Sequence, residues 1–163
     1  MKTLTFLISF ILALGAVSCT TSTEAQSVEG TALKSLLEEK NFVFQAQSAQ
    51  PSRGTTRQLT SGYDLRLSGD TLVAQLPYFG RAFSAPIDMR GGGIEFTTTD
   101  YGYTLEAKRN GRWNITIDPK DAKDVRQMSL SVSENGYASL QVLSTNRDPI
   151  TFNGVVVQRV QRR

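Results

Sequence analysis

The feature that most limits what this chain can become is a change of hydrophobic period at Asn41. Before it, TALKSLLEEK sets Leu33, Leu36 and Leu37 on one helical face, with Thr31 as the expected cap and Lys34, Glu38 and Lys40 facing out. After it, apolar and polar residues alternate almost to the C-terminus. The apolar sets are Phe42, Phe44 and Ala46; Leu65 and Leu67; Leu72, Ala74 and Leu76; Ile94 and Phe96; Tyr103, Leu105 and Ala107. They continue as Trp113, Ile115 and Ile117; Met128, Leu130 and Val132; Ala138, Leu140 and Val142; and Ile150, Phe152 and Val156. Period two places each set on one face of a strand, so an all-β chain of about nine antiparallel strands is expected behind one short N-terminal helix.

The turns decide how those strands pair, because a slip of one residue moves every side chain to the other face. Asn110-Gly111 suggests a two-residue type I′ turn, but that register puts Trp113 opposite Lys108 and sets the two apolar faces on opposite sides. A three-residue loop from Arg109 to Gly111, with Gly111 left-handed, instead opposes Ala107 to Trp113, Leu105 to Ile115 and Tyr103 to Ile117. Glu134 to Gly136 behaves likewise, opposing Val132 to Ala138, Leu130 to Leu140 and Met128 to Val142. Gly69-Asp70 works as a two-residue loop that opposes Leu67 to Leu72 and Leu65 to Ala74. Hairpins that share one apolar face form a meander, which closes into a small lipocalin-like barrel or folds over into a sandwich. Inward positions mix large residues (Phe44, Phe96, Trp113, Phe152) with small ones (Ala46, Ala74, Ala107, Ala138), which leaves a lumenal cavity open as a question.

The N-terminus addresses the chain to export. Lys2 precedes an apolar run from Leu4 to Val17, too short to span a bilayer comfortably, and small residues follow. Ala16-Val17-Ser18-Cys19 resembles a lipobox, in which the Cys19 thiolate takes a diacylglyceryl group and cleavage before it frees an amine for a third acyl chain. Each buried CH₂ contributes about 0.8 kcal/mol, so two or three chains anchor stably. Residues 1–18 are thus expected as a lipoprotein signal peptide, 19–27 as a flexible tether and 28–163 as a single β-rich domain. The expected location is the cell envelope, lipid-anchored on the periplasmic or surface face of the outer membrane. The alternative is secretion to the periplasm with cleavage after Ala25 or near Ser18. The 18 basic and 15 acidic residues are interspersed, and Arg159, Arg162 and Arg163 read as a solvated strand end, so no nucleic-acid partner is expected.

The helix followed by NFVFQAQ, then LPYFGRAFSAP, the GGGIEF re-entry and the TNRDPITFNGVV ending resemble an uncharacterised Bacteroidota family of exported proteins and lipoproteins, domain of unknown function 4251. The resemblance spans about residues 28–163 and implies no activity, substrate or catalytic residue, because the family carries none.

The chemistry available is narrow. The chain has no histidine and one cysteine, Cys19, which excludes imidazole-based triads, His-ligated zinc and imidazole acid/base work. Asp118, Asp121 and Asp124 in DPKDAKD lack the spacing of a calcium loop and read as a turn. Gly91-Gly92-Gly93 precedes a strand without the Lys and Ser/Thr of a phosphate loop. No metal, cofactor or catalytic site is expected. Trp113 reads as core, and Arg57, Arg66 and Arg81 as solvated or snorkelling rather than functional, although Arg81 sits amid aromatics.

One stretch breaks the alternation. From Phe79 to Gly92 the chain is too long for a hairpin loop, while Tyr78, Phe79, Phe83, Ile87 and Met89 are too apolar to hang in water. The segment is expected to fold back over an edge or end of the sheet as a structural lid, with Phe79 and Phe83 buried and the Arg81 guanidinium held by carbonyls, a carboxylate or a ring. Tyr78, Phe79, Arg81 and Phe83 would equally line the mouth of a cavity and gate a ligand. Two functions fit a monomeric domain of this kind. One is a binding module for a small apolar or amphipathic ligand; the other is a structural lipoprotein with a solid core that docks an envelope protein.

Overall fold

Wherever the sequence has period two, the chain forms a strand. A computed structural model describes residues 23–60, 62–83 and 92–158. Helix α1 (Thr23–Glu38) leads into β1 (Asn41–Pro51), β2 (Arg57–Gln58), β3 (Asp64–Ser68), β4 (Thr71–Leu76) and β5 (Ile94–Thr98). There follow β6 (Tyr101–Lys108), β7 (Arg112–Pro119), β8 (Val125–Val132), β9 (Tyr137–Ser144) and β10 (Ile150–Gln158). They make one antiparallel sheet in the order β5-β4-β3-β1-β10-β9-β8-β7-β6, with the two-residue β2 hydrogen-bonded to β1. Strands β5 and β6 are the two edges of this sheet, yet only Thr99 and Asp100 separate them along the chain. The sheet must therefore curl until its edges meet at that corner, and it forms a half-barrel. Thr98, buried, fixes the corner by accepting the Asp100 N–H at 3.0 Å, and the Lys120 N–H reaches the Asp100 carbonyl at 2.9 Å.

The turn geometry follows the buried face. Ala107 lies opposite Trp113, Leu105 opposite Ile115 and Tyr103 opposite Ile117 across a three-residue loop in which Gly111 has φ 61°. Asn110 is left-handed as well, at 61°, a conformation that asparagine tolerates better than most residues. Val132, Leu130 and Met128 face Ala138, Leu140 and Val142 across a loop closed by Gly136 at φ 80°. Leu67 faces Leu72 across Gly69-Asp70, with Gly69 at φ 58°. Two bulges were not legible in the pattern. One lies between Ala46 and Ser48 of β1, so that burial passes from Phe42, Phe44 and Ala46 to Ala49 and Pro51; the other lies between Val125 and Gln127 of β8.

The inner face carries the buried core. Phe42, Phe44, Phe152, Ile115, Ile117 and Leu140 are wholly buried with Leu37 of α1, and Trp113 joins them. Toward the unpaired edges the packing thins. Phe96, Tyr103 and Leu105 are only partly buried, and Ala107, expected inside, is exposed because nothing pairs with the far side of β6. The helix departs from expectation at its start. It begins at Thr23, inside the stretch assigned to the tether, where Glu, Ala and Gln are good helix formers. Thr31 is therefore interior rather than a cap, and its carbonyl accepts the Ser35 hydroxyl at 3.3 Å. At the other end the Tyr103 hydroxyl donates to the Leu37 carbonyl at 2.7 Å, and the Lys40 ammonium sits 5.2 Å from the Tyr103 ring and 5.7 Å from that of Tyr101. Burial raises the Tyr103 phenol far above its ordinary value and keeps it a protonated donor.

Gly154 lets β1 and β10 approach at the bulge, for a Cβ there would overlap the Gln45 carbonyl. Gly154→Ala should lower stability by about 1–3 kcal/mol by overpacking a buried backbone contact. An unchanged Tm in thermal unfolding would show that the two strands separate without cost.

Candidate functional site

The irregular stretch after β4 is organised by its backbone. Tyr78 is half-buried, and its hydroxyl lies 2.8 Å from the Arg81 carbonyl and 3.0 Å from that of Asp148, sharing its proton between them. Burial first, and the Asp148 charge second, raise its pKa. Gly80 is required because a Cβ would overlap the Tyr78 hydroxyl. The Phe83 N–H donates to the Asn146 carbonyl at 2.8 Å, the Asp148 N–H donates to the Arg81 carbonyl at 3.1 Å, and Ala82 bridges to Arg147. Residues 80–83 thus form a short antiparallel rib along the connection between β9 and β10.

This arrangement corrects two expectations for the aromatic cluster. Phe79 is half-buried, with the Arg57 guanidinium 4.9 Å from its ring. Phe83, in contrast, is 73% exposed, because the rib docks through its peptide groups. Arg81 is also exposed, and among the described residues its guanidinium bonds to nothing. Pro86, Ile87, Met89 and Gly91 lie outside the described residues, as do Cys19, the expected signal peptide and the last arginines.

The role expected of Arg81 belongs to Arg147. Its side chain is 7% exposed, its Nη1 donates to the carbonyls of Gly92 (2.6 Å) and Gly93 (3.3 Å), and its Nη2 donates to Asp124 Oδ2 at 3.2 Å. The guanidinium also sits 5.1 Å from the centre of the Tyr78 ring. A buried guanidinium is tolerable only with such acceptors, and its planar fork suits several at once. Arg147 therefore joins the re-entry into β5, the β7–β8 loop and the rib. Sequence inspection missed it because TNRDPI reads as an ordinary polar turn, and nothing local marks an arginine that distant carbonyls will enclose. The aspartates of DPKDAKD separate: Asp124 pairs with Arg147, Asp118 accepts from the Gln127 amide at 3.1 Å, and Asp121 is exposed. Among the described residues no three potential metal ligands converge.

Beside Arg147 lies a cleft of about 290 Å³ between β5 and the β7–β8 loop. Ile94, Phe96, Ala122 and Val125 give it an apolar wall, while Glu95, Asp124, Ser144 and Arg147 bring polar groups. The Ser144 hydroxyl is buried and has no hydrogen-bond partner among the described residues. Leaving a buried hydroxyl unpaired costs about 1–3 kcal/mol.

Arg147→Leu should lower stability by about 2–3 kcal/mol through lost charge-assisted hydrogen bonds, with the half-exposed Asp124 rehydrating. Hydrogen exchange should locate the damage. The Phe83 and Asp148 amides should lose protection while those of β8 and β9 keep it, and uniform protection in the variant would remove Arg147 as the organiser of the rib.

Comparison with known proteins places this geometry in a family. The profile of a family described as a domain of unknown function (DUF4251) matches residues 24–156. The crystal structure of a DUF4251 family protein from Bacteroides eggerthii DSM 20697 is similar at a TM-score of 0.61 and 16% identity, covering 84% of this chain and 92% of that one. At that identity the likeness shows the fold alone. No curated protein matches the chain.

Proposed function

This chain belongs to the DUF4251 family, and from that premise we propose that it is a binding module of the cell envelope, lipid-anchored through Cys19, that takes a small amphipathic ligand in the cleft beside Arg147. The observation that carries this reading is the Ser144 hydroxyl, buried without a partner in a cleft that is apolar on one side and polar at its base. A ligand with a hydrogen-bonding head and a short apolar body satisfies both halves. The volume, about 290 Å³, suits a small molecule. Binding on the flank also fits the packing, because Phe42, Phe44 and Phe152 fill the space between sheet and helix where a lipocalin would hold its ligand. The location rests on the lipobox-like run ending in Cys19. A second reading, docking of an envelope protein at this end of the sheet, is supported by Phe83, whose ring projects into solvent beside the rib.

Anilinonaphthalene sulfonate, an amphipathic dye, tests the cleft. It should bind saturably at one site in the wild type, and Ala122→Trp, which fills the cleft from the β7–β8 loop, should abolish binding while the variant still unfolds cooperatively. Undiminished binding by that variant, or no saturable binding by the wild type, overturns the reading. The anchor is tested by fractionating host cells: the wild type should stay with membranes and Cys19→Ser should be soluble. A wild type that is equally soluble disproves the lipid.

A further inference from the structure

The sheet has a second face, turned away from the core, and it is unusual in what it lacks. Ser131 of β8 lies opposite Ser139 of β9, Ser139 opposite Asn153 of β10, Asn153 opposite Ser48 of β1, and Ser48 opposite Gln58 of β2. At roughly 4.8 Å per strand, the row of hydroxyls and amides is about 19 Å long. The bulge in β1 shapes it. The extra residue, Gln47, offers its carbonyl to the Leu59 N–H at 2.8 Å and so holds the β2 segment against one end of the row. The result is a groove of about 530 Å³ in which Arg112 is the sole charged residue among the described lining residues.

Tyr137 lines this groove and is 63% exposed. Its backbone is fixed from both sides. The Ser133 hydroxyl lies 2.7 Å from the Tyr137 carbonyl and 2.6 Å from Asn135 Oδ1, and the Tyr137 N–H donates to that same amide oxygen at 3.3 Å. One exposed ring is unremarkable on a protein surface. A ring held on a braced hairpin at a groove of neutral donors and acceptors is a recognisable combination.

We propose that this groove is a saccharide-binding site, with Tyr137 as the stacking platform. A sugar ring presents hydroxyls that donate and accept at once, which serine hydroxyls and the amides of Asn153 and Gln58 answer in kind. Its C–H face is apolar and packs on the negative face of an aromatic ring. A single arginine is too little for a phosphorylated ligand. The length of the polar row favours an oligosaccharide over a monosaccharide. The site shares no residue with the cleft beside Arg147, so the two proposals stand or fall separately.

Isothermal titration of the folded protein with maltohexaose, cellohexaose, laminarihexaose, xylohexaose and chitohexaose tests it. At least one should bind. Tyr137→Ala should then weaken that affinity by about tenfold or more, Asn153→Ala should weaken it too, and Tyr137→Phe should retain it. Ala122→Trp, which fills the other cleft, should bind as the wild type does. Failure of the wild type to bind any of the five sugars overturns the proposal. So does a Tyr137→Ala variant that binds undiminished, including the case in which Ala122→Trp loses binding instead.

Discussion

The link Thr99-Asp100 joins the two edges of the sheet, and the shape of the molecule depends on it. A flat sheet in this strand order would hold β5 and β6 many strand spacings apart, which two residues cannot cross. Closure of the corner forces the curl, and the curl encloses the apolar face. Side-chain bonds secure the result near the β6 edge. The Tyr101 hydroxyl donates to the Gly69 carbonyl at 2.7 Å, tying β6 to the β3–β4 turn, and Tyr103 ties it to the end of α1. The helix then supplies Leu33 and Leu37 to a core that the half-barrel by itself would leave open.

The opposite end of the sheet is held differently, by one buried charge. Arg147 draws carbonyls of the β5 re-entry, the Asp124 carboxylate and the Tyr78 ring around itself, and the rib at residues 80–83 hangs on the same connection. Burying a guanidinium is costly, and its expense is offset by the charge-assisted bonds it makes. The same polar enclosure leaves the Ser144 hydroxyl unanswered beside an apolar wall. Structural anchoring and the proposed ligand cleft thus draw on neighbouring groups of one cluster.

Two surfaces outside the buried core are open to another molecule: the flank beside Arg147 and the outer face of the central strands. Their chemistry differs: the first combines an apolar wall with buried polar atoms, whereas the second is a shallow field of neutral hydroxyls and amides around one ring. Lipocalin-like architecture alone would have pointed to the lumen, which illustrates why function has to be argued from a site rather than from a fold.

What the sequence by itself determined was whatever depends on neighbours along the chain. Alternation chose strands, and the demand that Trp113 and Ala107 share a face chose a three-residue loop at Gly111 over the two-residue turn that Asn-Gly suggests. The same logic set the hairpins at Gly69 and Gly136, because register and face are coupled within a few residues. The family resemblance carried by the YFGRAF and GGGIEF segments was legible too. The bulge at Gln47 was hidden, since QAQSAQ offers no large apolar residue whose change of face would betray it. Phe83 looked buried on hydrophobicity alone, yet the rib uses its peptide group and leaves the ring in water. Arg147 carried no mark in the sequence, yet carbonyls far away along the chain enclose it. Only the tertiary structure decided these, because the free energy of a loop side chain depends on which distant groups close around it, and no local pattern encodes them.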